Sequence, residues 1–323
     1  MKQISVVIPT LNEEGNIIPI SSAIIEVLQK YVGKYDYEII IIDNHSTDKT
    51  RCLIRELCQN NKKIKAIFNS RNFGPRSSIY GLTQASGDCV IKISADFQDP
   101  VEFIDDFISE WENGYKIVIG VKEKSQENKF INFIRSCYYR LIKQIAEIDH
   151  IEQFSGFGLY DKDFIEIIRN LKDPIPYFRG IIAELGFEYK KIPYQQPNRR
   201  AGKSKYNFYK LYDYAMLGIT SYSKVFIRLA TMAGGIIAMG SLLIGLVYFV
   251  LKLIYWNRFD AGFAPMIIGM FFLGAIQLLF LGIIGEYILS INTRALKRPL
   301  VVEEEKLNFT GKNARINADF VKE

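Results

Sequence analysis

The chain has 323 residues, 49% of them hydrophobic and 24% charged, with a formal net charge of +6. That is room for one sizeable α/β domain plus an apolar portion, and nothing before the polar C-terminal tail reads as disordered. Two histidines, His45 and His150, and four cysteines, Cys52, Cys58, Cys89 and Cys137, show no CxxC spacing, which argues against a zinc site and for reduced structural thiols.

Ile4 to Ile8 is a short β-branched run closed by Pro9, and Glu14 to Leu28 carries apolar residues at helical spacing with Asn12 in cap position. A second buried strand is predicted over Glu38 to Ile42, ending at Asp43, then a helix over Ser46 to Gln59 and a third strand over Ile64 to Phe68. Ser77 to Ala85 follows as a helix and Cys89 to Ile93 as a strand. Strands alternating with helices imply an α/β fold with a largely parallel sheet covered on both faces. In such sheets ligands bind beyond the carboxyl ends of the strands, which singles out Pro9 to Glu13, Asp43 to Asp48 and Ser94 to Asp99. Neither GxGxxG nor a P-loop motif is present, so dinucleotide and P-loop chemistry are set aside.

Farther along, two apolar runs, Phe226 to Leu251 and Phe263 to Ile291, are each long enough to span a bilayer, whose core of about 30 Å takes roughly 20 helical residues. Arg199, Arg200, Lys203, Lys205, Lys210 and Lys224 before the first run and Arg228 at its start crowd the membrane-proximal stretch, and Arg294, Lys297 and Arg298 follow the second. The loop between carries only Lys252 and Arg258, partly offset by Asp260. This positive-inside pattern predicts a multi-pass protein of the cell membrane, with the N-terminal domain and the tail in the cytoplasm. No cleaved signal peptide is expected, since Met1 leads directly into the first strand. Interleaved aromatic and charged residues from Tyr206 to Tyr222 predict an amphipathic helix in the interface. The expected organisation is a catalytic domain over 1–205, a juxtamembrane helix over 206–224, a two-helix membrane domain over 225–302 and a tail over 303–323 with no assigned role. Glycines in both runs, among them Gly234, Gly240, Gly274 and Gly282, allow close helix packing within one subunit or between subunits of a homo-oligomer. Glu286 reads as an interfacial charge near the cytoplasmic end of the second run.

Four strings in order, VVIPTLNEEGNI, EIIIIDNHSTDKT, NSRNFGPRSSIYGLTQASGD and SADFQDP, resemble the successive motifs of glycosyltransferase family 2, which has the GT-A fold. The later strings YFRGIIAELGF, RRAGKSKYNF and GEYILSINTRALKRPL resemble the subgroup typified by dolichol-phosphate mannose synthase and the bactoprenol glucosyltransferases. The resemblance implies transfer of a sugar from a nucleotide donor to polyprenyl phosphate. It also implies that Pro9, Leu11, Glu13 and Asp43 hold the nucleotide, with Asp43 accepting from the imide of uracil, although Asn44 stands where the family usually has a second acid. A helix cap is the alternative role for Asp43.

Within SADFQDP, Asp96 and Gln98 match the family's metal-binding acid and amide, and hard oxygen ligands suit Mg²⁺ or Mn²⁺. Ser94 replaces the first acid of the family's DAD and retains a hydroxyl for the diphosphate or a water. Arg199, Ser204 and Lys205 match the family's phosphate-binding loop, with membrane-flanking charge as the plain alternative, and Arg179 adds a phosphate contact or a structural salt bridge. Together Asp96, Arg199 and Lys205 form the expected catalytic set. Gly156 and Gly158 stand where the family often has an acid and an arginine. They either open space for a different sugar or serve a backbone bend. The missing acid is tolerable because a phosphate monoester is already mostly anionic at neutral pH, its second pKa being about 6. Two other readings stay open: a family 2 transferase with a hydroxyl acceptor, which needs a general base not found here, and a non-catalytic membrane scaffold with a decayed sugar-nucleotide site.

Overall fold

A computed structural model describes residues 1–123, 151, 153–171, 173–197, 216, 225–255, 263–296 and 298–309. Arg199, Ser204, Lys205 and, apart from Met216, the expected helix over 206–224 lie outside these.

The first half follows the predicted alternation. It runs β1 (Lys2–Thr10), α1 (Ile17–Gln29), β2 (Tyr35–Asp43), α2 (Thr50–Asn60), β3 (Ile64–Asn69), α3 (Pro75–Gln84), β4 (Cys89–Lys92) and α4 (Phe103–Glu112). Then come β5 (Ile117–Lys122), β6 (Phe154–Asp161), α5 (Lys162–Leu171), α6 (Phe178–Glu184) and β7 (Tyr189–Tyr194). Two long helices, α7 (Val225–Ile254) and α8 (Phe263–Ala295), precede a last strand, β8 (Glu303–Leu307).

All eight strands form one sheet in the order β7-β5-β6-β4-β1-β2-β3-β8. The block β4-β1-β2-β3 is parallel, as predicted. Beyond it the sheet is mixed, because β6 runs antiparallel to both β4 and β5, and β8 antiparallel to β3. Alternate side chains of the central strands divide between two cores. Ile4, Val6, Ile8, Ile39, Ile41 and Ile91 pack with α1 and α4, while Val7, Ile40, Ile42, Ile67 and Val90 pack with α3, α5 and α6. A strand buried on both faces has to read as an unbroken apolar run, and Ile39–Ile42 do so because helices cover both sides. α1 starts at Ile17, and its N-cap is Asn16 rather than the predicted Asn12.

α7 has 30 residues and α8 has 33, in the places of the two apolar runs. Among the described residues one stretch, Phe272–Ala295, is long and apolar enough to cross a membrane, whereas the apolar stretch found within α7, Thr231–Ser241, is too short. Of the two expected spans, one candidate is found among the described residues. Both helices nonetheless expose large apolar side chains, Leu243 and Ile244 on α7 and Leu278 and Leu281 on α8 among them.

The first residues of the tail, to which the sequence assigns no role, form β8. Each of its three successive glutamates meets a partner on the sheet domain. Glu303 is 4% exposed and accepts from the Tyr80 hydroxyl while pairing with Lys306 at 2.7 Å. Glu304 pairs with Arg51 and Glu305 with Arg55, both at 2.7 Å. The Asn308 amide donates to the carbonyls of Cys58 and Ile64. β8 thus covers the edge that β3 would otherwise present.

Replacing Glu303 with alanine leaves the nearly buried Lys306 ammonium without its counter-ion, a defect that costs roughly 3 kcal/mol or more. Thermal unfolding of the purified full chain should show a melting point several degrees lower for Glu303→Ala, with a smaller loss for Glu303→Gln. An unchanged melting point in both would remove β8 from the stable sheet.

Candidate functional site

The chain builds β1, β2 and β3 outward in one direction and then crosses to place β4 on the other side of β1. The loops leaving β1 and β4 therefore diverge and open a crevice at their carboxyl ends. Three residues at these ends hold left-handed backbone without being glycine: Asn12 after β1 (φ 52), His45 after β2 (φ 69) and Phe97 after β4 (φ 58). Such conformations cost on the order of 1–3 kcal/mol and persist where surrounding contacts enforce them.

Those contacts are side chains joining the loops. Asn12 receives the Thr47 amide on its Oδ1 at 2.8 Å and donates its own amide to Ser46 Oγ at 2.8 Å. The Glu13 amide donates to Thr50 Oγ1 at 2.8 Å, and the Lys49 amide to the Glu14 carboxylate at 3.0 Å. The Glu13 carboxylate accepts from Asn16 Nδ2 at 2.7 Å. Pro9, Leu11 and Glu13 are half-buried along this seam.

Asp43 is fully buried. Its carboxylate accepts the Ser46 amide at 3.1 and 3.2 Å and meets Arg51 Nε at 3.0 Å. In this state the acid organises the loop after β2 and is closed to solvent, and it caps no helix, because α2 begins at Thr50 with Lys49 in the cap position. Asn44 shows why an amide replaces the second acid: its Oδ1 accepts the Phe73 amide and its Nδ2 donates to Asn72 Oδ1. A carboxylate could not make the second bond.

After β4, Asp96 is 7% exposed and its Oδ1 accepts the Gln98 amide at 3.3 Å. Asp99, 3% exposed, fixes the turn by accepting from the Ser94 amide and the Tyr194 hydroxyl, each at 3.0 Å. Burial, together with the Asp99 charge, raises the Tyr194 pKa well above the ordinary phenol value, so it stays a donor. Ser94 and Gln98 are half-buried beside Asp96. Among the described residues no three His, Cys, Asp or Glu side chains gather as a metal cluster. The donor set is one carboxylate and one amide, which fits a hard cation that takes its other ligands from diphosphate oxygens and water.

The two glycines of β6 do not open space. A Cβ on Gly158 would fall 2.4 Å from the Val118 carbonyl of the neighbouring strand, and one on Gly156 would fall 2.4 Å from Lys92 Nζ. Gly156, at φ 91, also supplies the bend. Lys92 and Arg51 are the residues that sequence reasoning missed. A lysine closing the apolar strand CVIK was the available signal for the first; nothing local marks the second. Arg179 sits half-buried on α6. Cys58 and Cys89 are buried free thiols, and burial pushes Cys58 up to about 12.

A model described as glycosyl transferase family 2 matches residues 5–184, which run from β1 to the end of α6 and include all of these loops. The chain is 32% identical over 300 residues to a glycosyltransferase of Synechocystis, covering 92% of this chain and 93% of that protein. It is 31% identical over 307 residues to the bactoprenol glucosyl transferase of Shigella phage SfV, covering 94% and 99%. Against the SfII prophage-derived bactoprenol glucosyl transferase of Shigella flexneri the identity is 31% over 299 residues, covering 92% and 96%.

Asp43→Asn keeps the shape of the side chain but removes the charge opposite Arg51. Because the pair is buried, unfolding should show a loss of about 1–3 kcal/mol in the absence of any ligand. Full stability combined with weakened nucleotide binding would instead give Asp43 a direct contact with the base.

Proposed function

We propose, proceeding from the fact that this chain belongs to glycosyl transferase family 2, that it transfers a sugar from a nucleotide-diphosphate donor, a uridine nucleotide by preference, to polyprenyl phosphate. The carrying observation is Asp96, an acid held at the sheet's crevice in a chain that also contains a helix of bilayer length. Support comes from the bactoprenol glucosyl transferases, whose similarity covers 94% and 92% of this chain.

In this reading Pro9, Leu11 and Glu13 wall the base and ribose, and Asp43 keeps the β2 loop in shape for them. Asp96 and Gln98 hold a divalent cation, Mg²⁺ or Mn²⁺, which when bound offsets negative charge on the departing nucleotide. Ser94 donates to the diphosphate. Arg199, Ser204 and Lys205 close over donor and acceptor phosphates, with Arg179 reaching the same cleft. A phosphate oxygen of the acceptor displaces the nucleotide from C1 in one inverting step. No base is needed, because the nucleophile is already anionic at neutral pH. Catalysis then rests on positioning and charge stabilisation.

The exposed apolar surfaces of α7 and α8 support reading both helices as membrane spans. Flanking basic residues put the catalytic domain on the cytoplasmic face of the cell membrane. The product is a polyprenyl-phosphate-linked monosaccharide available for modification of envelope glycans.

Membranes given a panel of radiolabelled nucleotide sugars with Mg²⁺ or Mn²⁺ should incorporate label into the organic-extractable lipid fraction. Asp96→Ala should lower that yield about a hundredfold or more while the amount of protein in the membrane stays the same. Wild-type yield from the variant would overturn the assignment of Asp96, and absence of lipid label from every donor would overturn the transfer itself.

A further inference from the structure

β4 buries Cys89, Val90 and Ile91 completely and then closes on a lysine. A cation at the end of an otherwise apolar central strand costs desolvation free energy unless its charge is used. Strand alternation puts Lys92 on the same face as Val90, the face packed by α5 and α6. That is the β6 side of the crevice, away from the β1 and β2 loops.

The surroundings of the amine are specific. It donates to the Ser155 carbonyl at 3.2 Å. It fills the space that a side chain at position 156 would need, since a Cβ there would lie 2.4 Å from Nζ. The Tyr160 hydroxyl donates to the Gly156 carbonyl at 2.8 Å and so holds the bend that makes the room. Two charges act on the amine, Asp99 and Arg179. Asp99 is already engaged by the Ser94 amide and the Tyr194 hydroxyl. Among the described residues no carboxylate is in ion-pair contact with Lys92, and the second group is another cation.

From this geometry we infer that Lys92 and Arg179 form an anion-binding pair on the acceptor side of the crevice, with the Lys92 ammonium binding an oxygen of the acceptor's phosphate monoester. The inference rests on the transfer reading above and deepens it. Two cations that feel each other's charge, one at a strand end and one on a helix, suit a phosphate dianion, and they suit a neutral hydroxyl acceptor poorly. Gly156 belongs to the same device, because any larger residue would displace the amine. The charge state is consistent with this use. Burial first, then the Arg179 charge, lowers the Lys92 pKa to about 8 against the opposing pull of Asp99. The amine is therefore charged below that pH and neutral above it. The other titratable groups around it, Tyr160 on β6 and Tyr194 on β7, have pKa values raised by burial and remain neutral throughout.

The test compares wild type, Lys92→Met and Lys92→Arg as purified full chains. It reads KM for undecaprenyl phosphate, KM for the nucleotide sugar, melting temperature, and calorimetric binding of the short prenyl phosphate citronellyl phosphate. Lys92→Met should raise the acceptor KM about tenfold or more and weaken citronellyl phosphate equally, with the donor KM changed less than about twofold. Lys92→Arg should recover part of the acceptor affinity and abolish the wild-type loss of that affinity as pH rises through about 8. A rise confined to the donor KM would overturn the acceptor assignment. Unchanged KM values with a lowered melting point would reduce Lys92 to a structural counter-charge of Asp99. Should the wild type transfer no sugar at all, the transfer reading fails. In that case weaker citronellyl phosphate binding by Lys92→Met would still uphold the phosphate site, and equal binding would sink it.

Discussion

Strand β1 has a hydrogen-bonded neighbour on each side, β2 and β4, both parallel to it. To place them so, the chain must leave β1 in one direction for β2 and β3 and come back across it for β4. Helices then cover both faces, which leaves the carboxyl edge between β1 and β4 as the place where loops separate. Asp43, Asp96 and Asp99 collect there, just beyond the apolar runs of β2 and β4. The strained residues Asn12, His45 and Phe97 mark the same edge.

A second constraint comes from the return of the chain after its long helices. α8 is tied to the sheet domain by the Arg294–Asp173 pair, at 3.7 Å, and by β8 immediately beyond it. Arg51 on α2 then connects the two ends of the molecule, since it meets Asp43 of the β2 loop and Glu304 of β8. The exposed pairs, Arg55 with Glu305 for example, contribute little by themselves. The buried contacts of Glu303 and Asp43 matter more, because breaking either strands a charge away from water.

The three departures from the family's acidic pattern each have a local physical account. Asn44 donates a hydrogen bond that a carboxylate cannot, and it joins the β2 loop to the segment before α3. At Ser94 the backbone amide is held by Asp99, so the turn keeps its shape without the first acid of the motif. Gly156 gives its volume to the Lys92 amine.

Much of this was legible in the residues. Unbroken runs such as Ile39–Ile42 announced buried parallel strands, the spacing in α1 announced its inward face, and SADFQDP announced the acid at the end of β4. These features are local, set by periodicity, turn chemistry and composition within about ten residues. The role of Asp43, the filled space at Gly156, the reach of Arg51 and the strand hidden in Glu303–Leu307 were decided only by tertiary structure. Each depends on groups far apart in the chain, such as Arg51 and Glu304 or Lys92 and Gly156. Charge and volume at one position carry no information about the partner that folding brings to it, so a glutamate run reads as a polar tail until the basic face of α2 is placed beside it.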